Sequence, residues 1–158
     1  MPTTTMPGSS TDRIEKTVTL DAPRARVWRA LTDVSQFNTW FGVKLESPFT
    51  PGAAVSGNIT IRKYEHFSMT IWIETMEPER FFSFRWHPYA VEEDVDYSAE
   101  PTTLVAFTLS DAGDGKTQLE IVESGFDAIP ESRRAKAFAM NSNGWAGQIE
   151  NIRKFLAA

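Results

Sequence analysis

PESRRAKAFAMNSNGWAGQIENIRKFLAA (Pro130–Ala158) is the stretch that decides the fold. Its apolar residues Phe138, Trp145, Ile149, Ile152 and Leu156 are spaced by 7, 4, 3 and 4. Those intervals put them on one face of an α-helix. The stretch therefore predicts one long helix of roughly 25 residues carrying a single apolar stripe. The stripe must be covered, and the chain upstream has to supply the cover.

Upstream the period is two. Ile14, Val18 and Leu20 share a side with Lys16, opposite Glu15, Thr17 and Thr19, which predicts a half-buried strand over Arg13–Leu20. Asp21-Ala22-Pro23 follows; Asp is a helix-capping residue and Pro suits a first turn. Val27, Trp28 and Leu31 then predict a short helix from Pro23 to Leu31, and a second runs over Asp33–Trp40, ending before Gly42. After Pro51-Gly52, Ala53, Val55, Gly57, Ile59 and Ile61 form one side of a second strand. Phe67, Met69, Ile71 and Ile73 mark a third. Phe82, Phe84 and Trp86 mark a fourth, after a turn at Glu77–Arg80. Val105, Phe107 and Leu109 form a fifth, and Leu119, Ile121 and Glu123 a sixth beyond the Asp111–Lys116 hairpin signal. Strands and helices are segregated, so the fold class is α+β: a six-stranded curved antiparallel sheet gripping a long C-terminal helix, with two short helices after the first strand. Residues 13–158 read as one domain and residues 1–12 as a disordered tail rich in Thr, Pro, Ser and Gly.

Composition narrows the chemistry. A chain of 158 residues buries roughly 70% of its unfolded surface and needs no staple to fold. It has no cysteine, which excludes disulfides, thiolate metal sites and a cysteine nucleophile. A net charge of −5 without a basic stripe argues against a nucleic-acid partner. No apolar run reaches the ~18 residues of a membrane span. The first residues lack the basic and apolar regions of a secretory signal. The expected location is the cytoplasm. The 11 Phe, 5 Trp and 3 Tyr must fill a core, line a pocket or do both.

Few residues carry chemistry. There is no nucleophile elbow, phosphate-binding loop or dinucleotide fingerprint. His66 and His87 stand far apart with no metal-ligand pattern, so no metal and no cofactor are expected. Glu123 shares parity with Leu119 and Ile121 and should face the helix, where a carboxylate is costly unless paired. Two readings are open: a pocket group that orients a ligand or moves a proton, or a strand-end residue reaching solvent or an arginine. Gly144 and Gly147, with Asn141 and Gln148, interrupt the helix stripe. They either leave ligand room or allow a close approach of a strand or of the Trp145 ring. The stretch from His87 to Thr102 is long for a hairpin and carries Glu92, Glu93, Asp94 and Asp96 with Tyr89 and Tyr97. It reads as a lid over a pocket mouth or as a solvated acidic loop. Trp72 has the opposite parity to Ile71 and Ile73, which places it on the convex face as a homodimer contact.

LDAPRARVWRALTD (Leu20–Asp33), Trp40-Phe41-Gly42, the run ending EPERFFSFRW at Trp86, TQLEIVESGF (Thr117–Phe126) and NGWAGQIENIRKFL (Asn143–Leu156), in this order, resemble the START-like or SRPBCC helix-grip superfamily. Within it the chain resembles the bacterial proteins related to the activator of the ninety-kilodalton heat-shock protein ATPase. The likeness spans about Arg13–Ala158. It implies a cavity between sheet and helix, lined by Trp40, Phe41, Ile59, Met69, Ile71, Phe84 and Trp86 on one side. Phe107, Ile121, Glu123 and Phe126, with Asn141, Gly144, Trp145 and Gln148 of the helix, complete the expected lining. The leading expectation is a binding protein for a small hydrophobic or aromatic ligand, lipids included. The second is a polyketide aromatase/cyclase-like enzyme, with Glu123, His87 and Tyr97 as catalytic candidates. The third is a co-chaperone in stress response, partnered with a heat-shock ATPase.

Overall fold

A computed structural model gives the fold and describes residues 12–88, 97 and 99–158. The tail at residues 1–11 and the acidic stretch with Tyr89, Glu92, Glu93, Asp94 and Asp96 lie outside the described residues. The alternation of Ile14, Val18 and Leu20 forms β1 (Arg13–Leu20), with those three side chains buried. Two short helices follow, α1 (Arg24–Thr32) and α2 (Val34–Phe41). Asp21 does not cap α1: Pro23 occupies the cap position in extended conformation, and no side chain caps that end. α2 is capped by Asp33, whose Oδ1 accepts from the Ser35 hydroxyl at 2.6 Å and from the Ser35 and Gln36 N–H groups at 3.0 and 3.2 Å. The Ser35 hydroxyl first, and the Gln36 N–H after it, hold this carboxyl below its ordinary value. Gly42 ends α2 at φ 91°, in the left-handed region that glycine enters without strain.

Among the described residues the sheet has seven strands, not six. The additional strand is β2 (Val43–Leu45), directly after Gly42. Three residues are too few to show a period, which is why the sequence does not announce it. β2 pairs with β3 (Ala54–Ile59), Leu45 opposite Gly57. A Cβ at Gly57 would sit 1.9 Å from the Lys44 carbonyl oxygen, so this crossing admits only glycine. Asn38 brackets Leu45 from the other side, accepting its N–H at 3.0 Å and donating to its carbonyl at 3.1 Å. β3 stops at Ile59, and Ile61, expected as an inward strand residue, is exposed beside Gly42.

The remaining strands are β4 (Ser68–Glu77), β5 (Phe81–Trp86), β6 (Thr103–Gly113) and β7 (Lys116–Ser124). All neighbours are antiparallel in the order β1-β7-β6-β5-β4-β3-β2. The register shifts between Ile73 and Thr75 where β4 meets β5, an irregularity of the kind that bends a strand. A 3₁₀ turn (Phe126–Ala128) leads into α3 (Glu131–Ala157), 27 residues long. Trp145, Ile149 and Ile152 of the expected stripe are buried against the sheet; Phe138 and Leu156 pack at the margins of the core. Phe82 and Phe107 stack at 5.8 Å within the sheet, and Phe41 of α2 lies 5.9 Å from Trp86 of β5, so α2 and the sheet share one aromatic core. Trp72 is outward as its parity requires, with His87 edge-on at 5.5 Å.

Candidate functional site

The site is built around Glu123. Strand parity turns it inward from β7, opposite Val105 of β6. Its residue is 0% exposed, and both carboxylate oxygens are taken by donors from three elements. Trp86 Nε1 of β5 donates to Oε2 at 2.8 Å and the Thr103 hydroxyl of β6 donates to it at 2.6 Å. Trp145 Nε1 of α3 donates to Oε1 at 2.8 Å, and Asn141 Nδ2, one helical turn earlier, bridges both oxygens at 3.0 Å. Among the described residues no lysine or arginine is a partner. The set is entirely donors, the complement of an acceptor-only carboxylate. Solvent or an arginine at the strand end is therefore not the fate of Glu123.

The carboxylate fixes two indole rings. Trp86 and Trp145 stack at 5.7 Å between centroids with 29° between planes, and Phe41 leans on them at 5.9 and 6.2 Å. Above these rings lies a half-open hollow of about 90 Å³ lined by Phe41, Trp86, Asn141, Gly144, Trp145 and Gln148. Asn141, Gly144, Trp145 and Gln148 follow the i, i+3, i+4, i+7 rule on one helix face. The hollow exists because residue 144 brings no side chain. A Cβ at Gly144 or Gly147 meets nothing within 4 Å, so neither glycine serves a close approach. Gln148 Nε2 donates to the Phe41 carbonyl at 2.9 Å and ties the rim of α3 to the end of α2.

The other expected lining residues sit elsewhere. Ile71, Phe84, Phe107, Ile121 and Phe126 are buried core, Ile59 and Met69 are half-buried on β3 and β4, and none lines this hollow. Trp40 is buried with its Nε1 donating to the Ala30 carbonyl at 2.7 Å, a bond that locks α2 to α1. The three catalytic candidates are held by different partners. His87 Nε2 meets the Glu100 carbonyl at 3.0 Å. Tyr97 lies under the Arg133 guanidinium, 4.7 Å from centroid to carbon. Arg133 in turn donates to Glu100 at 2.8 Å and to the Pro88 carbonyl at 2.9 Å, fastening the start of α3 to the β5–β6 connection. His66 is exposed on the β3–β4 connection. Among the described residues no three acidic or histidine side chains converge as a metal cage, and no helix is long and apolar enough to cross a membrane.

Thr103 was not singled out by sequence reasoning, nor was the shared role of the two indole N–H groups. A signal existed: a buried tryptophan needs an acceptor for its N–H, and Glu123 is the inward carboxylate that two of them share.

Comparison with known proteins fits this geometry. The family model described as activator of Hsp90 ATPase homolog 1-like protein matches residues 21–157. The chain belongs to that family. This AHSA1-like chain shares its fold with several solved structures. DynU16, a protein of the dynemicin biosynthetic locus, is 25% identical with a TM-score of 0.69 over 93% of this chain and 48% of that one. The AHSA1-like chain thus spans about half the length of DynU16. CalU16 from Micromonospora echinospora is 22% identical with a TM-score of 0.64, over 91% of this chain and 75% of that one. The Aha1 dimer from Colwellia psychrerythraea is 12% identical with a TM-score of 0.68, over 91% of this chain and 95% of that one. Among curated proteins no sequence matches.

Proposed function

We propose that this protein binds a small hydrophobic or aromatic ligand in the hollow between α3 and the sheet. One observation carries the reading: two stacked indoles are locked by a buried carboxylate under a gap in the helix where a side chain is missing. Fixed rings with an open face are a preformed apolar surface, and nothing has to be ordered when a ligand arrives. About 90 Å³ takes the edge of one ring or a short chain, the remainder lying in the opening. Glu123 serves as the anchor of the site rather than as its acid or base, because every donor around it is already spent on holding it. That ranks binding above a cyclase-like reaction, in which Glu123 would have to meet substrate. Titration with a panel of hydrophobic ligands should quench tryptophan fluorescence in the native protein and not in Trp86→Phe/Trp145→Phe. Quenching that survives the double substitution would place the ligand elsewhere.

A second reading concerns assembly. Trp72 is 37% exposed on the convex face, and we infer that it contributes to a homodimer contact. Sedimentation should give a mass of two chains, falling to one in Trp72→Ser; a single-chain mass for the native protein refutes it.

A further inference from the structure

We propose that Asn141 sets the specificity of the hollow, as an oriented acceptor that selects ligands bearing an O–H or N–H donor. The inference rests on the ligand-binding reading above and deepens it. An asparagine amide can ordinarily present either its oxygen or its nitrogen, so an exposed one selects nothing. Here the choice is removed. Asn141 Nδ2 lies 3.0 Å from both Glu123 oxygens, and a carboxylate in acceptor form tolerates only the NH₂ end there. Oδ1 is consequently on the far side of the amide from the carboxylate. It takes no bond among the described residues, and since no buried side-chain oxygen there lacks a partner, Oδ1 is not sealed from solvent. Asn141 lines the hollow beside Trp86 and Gly144. A ring laid on the indoles with a hydroxyl or N–H at its edge can donate to Oδ1. A ring that offers only acceptors places lone pair against lone pair.

Gln148, at the other end of the same helix face, does not compete for this role. Its Nε2 is engaged by the Phe41 carbonyl and its Oε1 accepts from Asn151 Nδ2 at 3.0 Å. The ligand acceptor is thus at the Asn141 end, and the orienting group is Glu123 behind it. The predicted class is neutral phenols and N–H heteroaromatics, selected over their O- and N-methyl counterparts.

Phenol and anisole test this as a pair. In an apolar hollow anisole, the less polar of the two, binds tighter; an oriented acceptor reverses the order. Isotope-labelled protein is titrated with each, following the Trp86 and Trp145 indole N–H signals. The expected result is shifts with both probes and a dissociation constant about five-fold lower for phenol, the worth of one ordinary hydrogen bond. In Asn141→Leu the phenol preference should be lost, with anisole binding at least as tightly as phenol. Equal affinities in the native protein, or a phenol preference that survives in Asn141→Leu, overturn the assignment and leave the binding site standing. If neither probe moves either signal, the binding reading itself fails and this inference with it. Where the leucine variant does not fold, the native phenol-to-anisole ratio decides alone.

Discussion

Replacing Glu123 separates its charge from its shape, and the two changes should differ in a predictable order. Glu123→Ala removes both acceptors. Thr103 and Trp145 are then buried donors without partners, each costing about 1–3 kcal/mol. Trp86 and Asn141 are partly exposed and can turn to water. The expected loss is about 2–6 kcal/mol, a large part of the 5–15 kcal/mol typical of a domain. Glu123→Gln keeps the shape and one acceptor. Its oxygen should settle in the Oε1 position, because Trp145 is the donor with no access to water. Its NH₂ then faces the Thr103 hydroxyl, which can rotate to accept, and Trp86, which is left to solvent. No buried donor is then orphaned, so the expected loss is about 0.5–1.5 kcal/mol, one hydrogen bond exchanged for solvent. Urea unfolding followed by fluorescence reads both, with an unchanged m-value showing that only stability moved. If Glu123→Ala costs less than about 1 kcal/mol, or Glu123→Gln costs as much as Glu123→Ala, the carboxylate is not the joint of this cluster.

Other outcomes follow from single residues. Asp33→Ala should cost about 1 kcal/mol through the lost cap of α2. The carboxyl is lowered in the folded state, so its contribution is fully present above the ordinary carboxylate value and lost as pH falls through the lowered one; urea midpoints of the two proteins should converge only in acid. Gly57→Ala should cost on the order of 3 kcal/mol or more by thermal melting, since its Cβ would overlap the Lys44 carbonyl. Gly147→Ala should gain up to about 1 kcal/mol, because helix propensity improves and the site is open. Gly144→Leu should fold as well as the native protein yet lose ligand quenching, because its side chain fills the hollow.

The long helix and its buried face were legible because a 3.6 period sustained over many residues has few rival explanations. β1 and β3–β7 were legible through alternation, and Trp72 through the broken parity of one residue. β2 was not: Val43, Lys44 and Leu45 make too short a run, and their strand status comes from Gly57 letting the backbones meet and from Asn38 holding Leu45. At the site, the inward face of Glu123 was readable from its own strand. Its partners were not, because Trp86, Thr103, Asn141 and Trp145 reach it only through strand register and helix docking. The two glycines posed a question of space that sequence leaves open, and the structure answers it with empty room at both.

The sheet order has a consequence for how the chain is made. Among the described residues β1 has one neighbour, β7, with Arg13 opposite Ser124, so this strand waits for a partner synthesised about 100 residues later. At ~5–20 residues per second, that wait lasts on the order of 5–20 s. Throughout it Ile14, Val18 and Leu20 remain on an unpaired edge that any other strand can join. Closure of the grip is then a late, long-range event, since α3 follows every strand of the sheet in the chain. A fragment ending before β7 would strand the N-terminus permanently, and interrupted synthesis would yield an aggregating product rather than a shorter working one.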